Sequence, residues 1–321
     1  MTGRGWAWFI GRRLLALVVL LVVISFVVFS LQYLAPGSVI DTLLGTNPRT
    51  PQEVQYLTNE YHLNDSFWEQ YWIWATQAVR FNFGNSIQTS LPVTTEISER
   101  LPTSLFLGVY AYILTMVLGV GGGLIAALRR QRLLDRGIVA ASMVALSTPA
   151  FVSGVFLIWL FGIEVHLFPV SGPGSGFFGD LAHLTLPAVA LALTGMSFLV
   201  KHTRAAVIGV LDQDYLTFAR ARGLSPARVL LVYALRNALI PIVTMSGLIL
   251  SYVIVGAVLV EDTFSLPGIG QLLVQSATAK DLPMLQGVAM LVATIIIVAN
   301  LLADIAYMIA DPRIRLGQGA S

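Results

Sequence analysis

The sequence predicts an all-α membrane protein with six transmembrane helices, on three observations. Six apolar runs are long enough to cross a bilayer or nearly so. Of the 321 residues, 56% are hydrophobic and only 11% are charged, against about 25% charged in an average soluble domain. Lys and Arg cluster in alternate connections between the runs. The chain contains no cysteine, which excludes disulfides, cysteine-ligated metals and a thiol nucleophile.

The first run, Leu14–Leu31, follows Arg4, Arg12 and Arg13. Eighteen apolar residues just cross a hydrocarbon core. A secretory signal is the competing reading, but the h-region is too long and Leu34-Ala35-Pro36-Gly37 offers no small-x-small cleavage site. An uncleaved first span is expected. Residues 32–101 differ in kind, with seven acids, three arginines and tryptophans at 68, 72 and 74, punctuated by Pro48, Pro51, Gly84 and Pro92. A helix over Glu53–Glu60, begun by Thr50 or Pro51, and a second over Phe67–Val79 are expected. This stretch reads as a small folded aqueous insertion whose aromatics rest at the membrane interface.

Five further apolar runs follow, at Ser104–Leu128, Ile138–Phe161, Leu184–Val200, Ala238–Val260 and Met284–Ile309. Pro149 and Pro187 are expected to kink their helices. Gly119, Gly121, Gly122 and Gly123 permit close helix approach. The chain thus divides into a first segment and span at 1–33, an insertion at 34–101, a five-helix core at 102–311 and a tail at 312–321. Fifteen of the nineteen Lys and Arg fall on the side of the termini and the 129–137 and 201–237 loops, and four fall on the other. The positive-inside rule makes the first side cytoplasmic and the insertion extracytoplasmic.

The 201–237 loop holds the stretch around which the chain is organised. Asp214 is placed to cap a helix running from Tyr215 to Arg222. Gly223 supplies the left-handed residue that ends it. Ser225-Pro226 reads as the cap and first residue of the next helix. Tyr215, Phe218, Ala219 and Arg222 fall at i, i+3, i+4 and i+7, on one face. Two readings stay open on the residues alone. The stretch is a basic loop on lipid headgroups, or it is a knob that docks into a partner.

The residue patterns of several other chemistries are missing. Lys201 and Lys280 are preceded by Val200 and Ala279, so there is no P-loop. His62, His166, His183 and His202 form no zinc pair at i, i+4, and no metal site is expected. Gly172–Gly176 is a turn between spans. Asp304, one turn after Asn300, is the one clear acid within a span. It is a relay member, a contact to a neighbouring helix or a group near the cytoplasmic headgroups, and a lone acid makes a poor relay. Ser147, Thr148, Ser197, Thr244, Ser251 and Tyr252 are mild polar groups within spans. They serve helix packing or line a path for a polar solute.

The chain resembles the membrane permeases of ABC importers, in their peptide/nickel (oligopeptide and dipeptide) group. The general cytoplasmic signature is weak here, since only Ala219 and Gly223 match it. The peptide-group variant matches Asp214-Tyr215, Ala219-Arg220-Ala221-Arg222-Gly223-Leu224 and Arg236-Asn237-Ala238. Glu261 through Gly270, Asp281-Leu282-Pro283, Gln286-Gly287, Asp304 through Tyr307, Asp311 through Arg315 and Arg12 through Leu15 also match. The resemblance implies half of a translocation pore in a bacterial-type inner membrane, shared with a sister permease and surrounded by lipid. It implies two ABC ATPase subunits or domains that bind ATP and Mg, with no cofactor in this chain and no nucleic-acid partner. An extracytoplasmic binding protein would deliver peptide. The helix 214–223 becomes the coupling helix, with Asp214, Tyr215, Phe218, Ala219, Arg220, Arg222 and Gly223 meeting an ATPase. The alternatives are an ion-coupled carrier or channel working alone, and a membrane-embedded enzyme or scaffold.

Overall fold

The structure is a computed structural model that describes residues 3–34, 40, 44, 49–225 and 228–310. The Ala35–Gly37 site, Pro48, Pro226 and the 311–321 stretch lie outside the described residues. No strand occurs among those described, apart from one isolated bridge between Asn85 and Pro92. Five helices are long and apolar enough to span a membrane, and a bent pair can supply the sixth. The chain is an all-α membrane protein.

It divides into two units, 1–104 with 267–297 and 105–266 with 298–321. In the first unit, α1 (Gly3–Leu34) extends past the apolar run at both ends. Helices α2 (Pro51–Glu60) and α3 (Phe67–Val79) form where expected. Ser66 starts α3 with a reciprocal capping box to Glu69, a local device that satisfies two orphan N–H groups. The Ser66 N–H and hydroxyl hold the Glu69 carboxyl below its ordinary pKa. Helix α3 packs on α1 through Phe67, Tyr71 and Trp74 against Phe26, Phe29 and Tyr33. The Tyr33 hydroxyl donates to Gln70.

Helix α4 (Val93–Leu128) starts well before its apolar run and crosses from this unit into the second. Its first turns pack Val93 and Ile97 on Ile269, Leu272, Met284 and Val288. Those partners lie on α10 (Ile269–Ala279) and α11 (Leu282–Ala310), which follow five helices of the second unit along the chain. Asp281 fixes this junction. Its carboxylate caps α11 by accepting from the Met284 N–H and also accepts from the Ser86 hydroxyl at 2.5 Å.

In the second unit, the run expected as one kinked helix over 138–161 is two helices. They are α5 (Leu133–Ser147) and α6 (Ala150–Leu157), the latter continued by a π-helical stretch Ile158–Glu164. The two arms meet at 105°. Thr148 is extended, at φ −102° and ψ 122°, because a residue before proline avoids the helical region. Pro149 then has no N–H to continue the ladder. Pro187 behaves differently and stays inside one continuous helix, α7 (Gly176–Leu211). The shortest expected span is therefore among the longest helices, since Lys201, His202 and Arg204 continue it beyond the apolar run.

Helix α7 is the centre of this unit, packed against α5, α6 and α9 (Leu235–Thr263). Helix α8 (Asp214–Ala221) lies between α7 and α9. The approach of α4 to α7 depends on missing side chains. A Cβ at Gly123 would lie 2.6 Å from Thr203 Cβ and 2.8 Å from the Val200 carbonyl oxygen, and one at Gly119 would lie 2.7 Å from Leu199 Cβ. Gly121 has nothing within 4 Å. Gly123→Ala is expected to cost about 1–3 kcal/mol by overpacking, while Gly121→Ala is expected to be silent. Thermal unfolding of detergent-solubilised variants checks both, and equal melting of the two would remove the packing role.

Candidate functional site

The short helix α8 is built as an end-stopped block. Its cap position is Gln213, with extended backbone and no side-chain cap bond. Asp214 is the first helical residue and not the cap, which corrects the expectation. A carboxylate there still complements the helix dipole. The C-terminal end follows the sequence closely. Gly223 has φ +79°, a conformation that side chains with a branched Cβ resist. Its N–H bonds to the Arg220 carbonyl at 2.9 Å, and the Leu224 N–H bonds to the Ala219 carbonyl at 3.3 Å. Together these form a Schellman motif. Ser225 then caps the following turn, its Oγ accepting from the Arg228 N–H at 3.4 Å. A π-helical stretch, Val229–Ala234, leads into α9.

Two faces result. Leu216 and Ala219 are buried against Val210, Leu211, Leu224, Val229 and Ala234. Tyr215, Phe218, Arg220 and Arg222 are exposed, Phe218 by 70%. Ala219 therefore does not share the outer face with Tyr215 and Phe218. Leu216 dominates the packing, and its i+3 neighbour Ala219 turns inward with it. Tyr215 is also anchored, because Asn237 Nδ2 donates to its hydroxyl at 3.1 Å and to the Tyr233 carbonyl at 2.8 Å. An exposed aromatic and cationic face is thus mounted on a buried foot and tied to α9.

The approach to α8 is clamped by ion pairs that local sequence patterns did not reveal. Asp135, buried on α5, accepts from Arg204 Nε at 2.6 Å and Nη2 at 2.8 Å, and from the Gln131 N–H at 2.8 Å. Arg130 bonds Asp212 at 3.0 Å, two residues before α8. The one available signal was that Asp135 is the single acid among Arg129, Arg130, Arg132 and Arg136.

The polar groups considered for a solute path are not all alike. Ser147 and Thr148 stand at the α5–α6 break, their hydroxyls donating to the Met143 and Val144 carbonyls at 3.0 Å. Ser197 is fully buried and donates to Leu193, so it lines no open surface of this chain. Thr244 is exposed. Ser251 donates to Asn300 at 2.6 Å, and the ring of half-exposed Tyr252 packs edge-on to Phe198. Asp304 is half-buried one turn beyond Asn300. Among the described residues, no three His, Asp or Glu side chains could hold a metal.

Comparison with known proteins decides the family. The model described as the inner membrane component of binding-protein-dependent transport systems matches residues 119–316, and its N-terminal counterpart matches 7–108. The chain belongs to this family. This transport-system membrane component is 37% identical over 310 residues to a probable peptide ABC transporter permease of Sinorhizobium fredii, covering 96% of this chain and 99% of that one. It is 36% identical to the di/tripeptide permease DppB of Pseudomonas aeruginosa and 34% identical to the dipeptide permease DppB of Escherichia coli, covering 96% of this chain and 98% of each relative. A solved inward-facing MetNI methionine ABC transporter aligns with a TM-score of 0.56 and 16% identity, over 68% of this chain and 97% of that one. That likeness establishes the shared fold. The transport-system component is a multi-pass permease subunit of an ABC importer, and α8 lies inside its matched region.

Proposed function

We propose that this permease forms half of an ATP-driven import pore for dipeptides or oligopeptides. The relatives named as dipeptide and di/tripeptide permeases support the substrate class. A sister permease completes the pore, an extracytoplasmic binding protein delivers solute, and two ABC ATPase subunits or domains bind ATP and Mg on the cytoplasmic side. Both termini and α8 face the cytoplasm, and the insertion after α1 faces outward. The observation that carries the mechanism is the mounting of α8: its Tyr215–Phe218–Arg222 face is exposed, while Leu216, Ala219 and the Gly223 stop fix it to the spans behind it. ATPase closure would move such a block as a rigid lever and rock the attached spans between inward and outward states.

Purification of the tagged chain in mild detergent, with identification of what accompanies it, tests this. An ATPase pair and a second permease are expected, with ATP-dependent peptide uptake after reconstitution. A chain that purifies alone and moves solute without ATP overturns the proposal in favour of an ion-coupled carrier.

A further inference from the structure

We propose that α3 lies within the outer part of the bilayer, on the side where α1 ends. It presents Trp68, Trp72 and Val79 to lipid and is not part of the aqueous fold of the insertion. The argument begins with what α3 touches. Tyr71 bonds Ser25 at 2.9 Å, Trp68 stacks on Phe26 at 5.7 Å, Trp74 packs on Phe29 and Phe67 on Tyr33. All four partners lie inside the apolar span Gly11–Tyr33.

Length decides the depth. At 1.5 Å per residue, the full span of 23 residues covers about 34 Å, enough for a hydrocarbon core of about 30 Å. If α3 and the residues beneath it stood in water, only residues 11–24 would remain, covering about 21 Å. That is too short. Sliding α1 outward to compensate would draw Arg12 and Arg13 into hydrocarbon, where charged side chains are strongly disfavoured. The membrane therefore reaches the stretch of α1 on which α3 is packed.

The surface of α3 fits that position. Phe67, Tyr71 and Trp74 face α1. Trp68, Trp72 and Val79 recur at i, i+4 and i+11 on a neighbouring face and are 67%, 69% and 81% exposed. Apolar side chains of α1, such as Val23 and Val27, are exposed as well. Gln77 lies on the opposite flank, and Glu69 falls between the two faces in the first turn of α3; both are exposed, where water and headgroups can solvate them. Tryptophan is favoured at this boundary, because its ring is apolar and its N–H is polar.

This chain has no native cysteine, so its label sits at one introduced site, and the parent complex treated in the same way gives the background from the other subunits. A nitroxide is attached to Trp72→Cys and, separately, to Gln77→Cys in the full chain, with its co-purifying subunits, in phosphatidylcholine–phosphatidylglycerol vesicles. Collision with lipid-soluble oxygen is compared with collision with a water-soluble nickel chelate. The label at 72 is expected to favour oxygen severalfold over the label at 77, which should favour nickel. Val79→Cys replaces Trp72→Cys if the latter fails to fold. A label at 72 or 79 that is open to nickel overturns the proposal in favour of an aqueous helix. One shielded from both reagents overturns it in favour of a protein interface.

Discussion

Gly223→Val is expected to reduce ATP-dependent uptake to near background while leaving membrane insertion, assembly and solute capture by the binding protein intact. The site has room, since a Cβ there would meet nothing within 4 Å, so the obstacle is the backbone at φ +79°. A β-branched residue held in that conformation costs about 1–3 kcal/mol. The chain relieves the strain by abandoning it, and the two bonds from Gly223 and Leu224 to the Arg220 and Ala219 carbonyls are lost. Helix α8 then loses its stop and its angle to the segment leading into α9. In the proposed role of α8 as a lever, a loose joint disables it even when its contact face is unchanged. Gly223→Asn separates this from a general fault, because asparagine tolerates the left-handed region. It is expected to retain most uptake. Uptake and ATP hydrolysis measured together in reconstituted vesicles check the pair, and normal uptake by Gly223→Val would refute the coupling role.

How much of this was legible in the sequence depended on how local each cause is. The helix Phe67–Val79 and the Gly223 stop follow from neighbours within a few residues, and both appear as expected. The consequence of proline was not local. Pro149 ends a helix at a 105° bend, whereas Pro187 sits inside α7, where neighbouring helices bury it. Sequence marks both as disruptions and does not say which one ends its helix. Hydropathy underestimated α7 because Lys201 and Arg204 interrupt the apolar run without interrupting the backbone ladder. Helical spacing grouped Ala219 with Tyr215 and Phe218. The spacing was sound, but the buried side is set by what α8 packs on, and Leu216 decided it. The pairing of Asp135 with Arg204 spans 69 residues, beyond any local pattern.

Asp135→Asn is expected to lower the stability of the permease by about 3 kcal/mol. Removing one partner of a buried ion pair typically costs 3–5 kcal/mol, and the lower end applies because Arg204 remains about a third exposed and can turn partly to water. The asparagine oxygen can still accept from the Gln131 N–H, so the loss isolates the guanidinium fork. Arg204→Lys should not restore stability to the parent level, because an ammonium cannot reproduce the two parallel bonds. Arg130→Ala should cost no more than about 1 kcal/mol, since both members of the Arg130–Asp212 pair are exposed. Thermal unfolding in detergent checks all three, and parent-like melting of Asp135→Asn would refute the clamp. The functional consequence follows from position. Arg204 and Asp212 lie eight residues apart, about 12 Å along α7 and its end, and both are held by the 130–135 stretch. Two anchors at that separation resist tilting as well as sliding. If α8 is the lever proposed above, ATP hydrolysis should fall less than uptake in Asp135→Asn, because its force would bend the end of α7 before it moved α5.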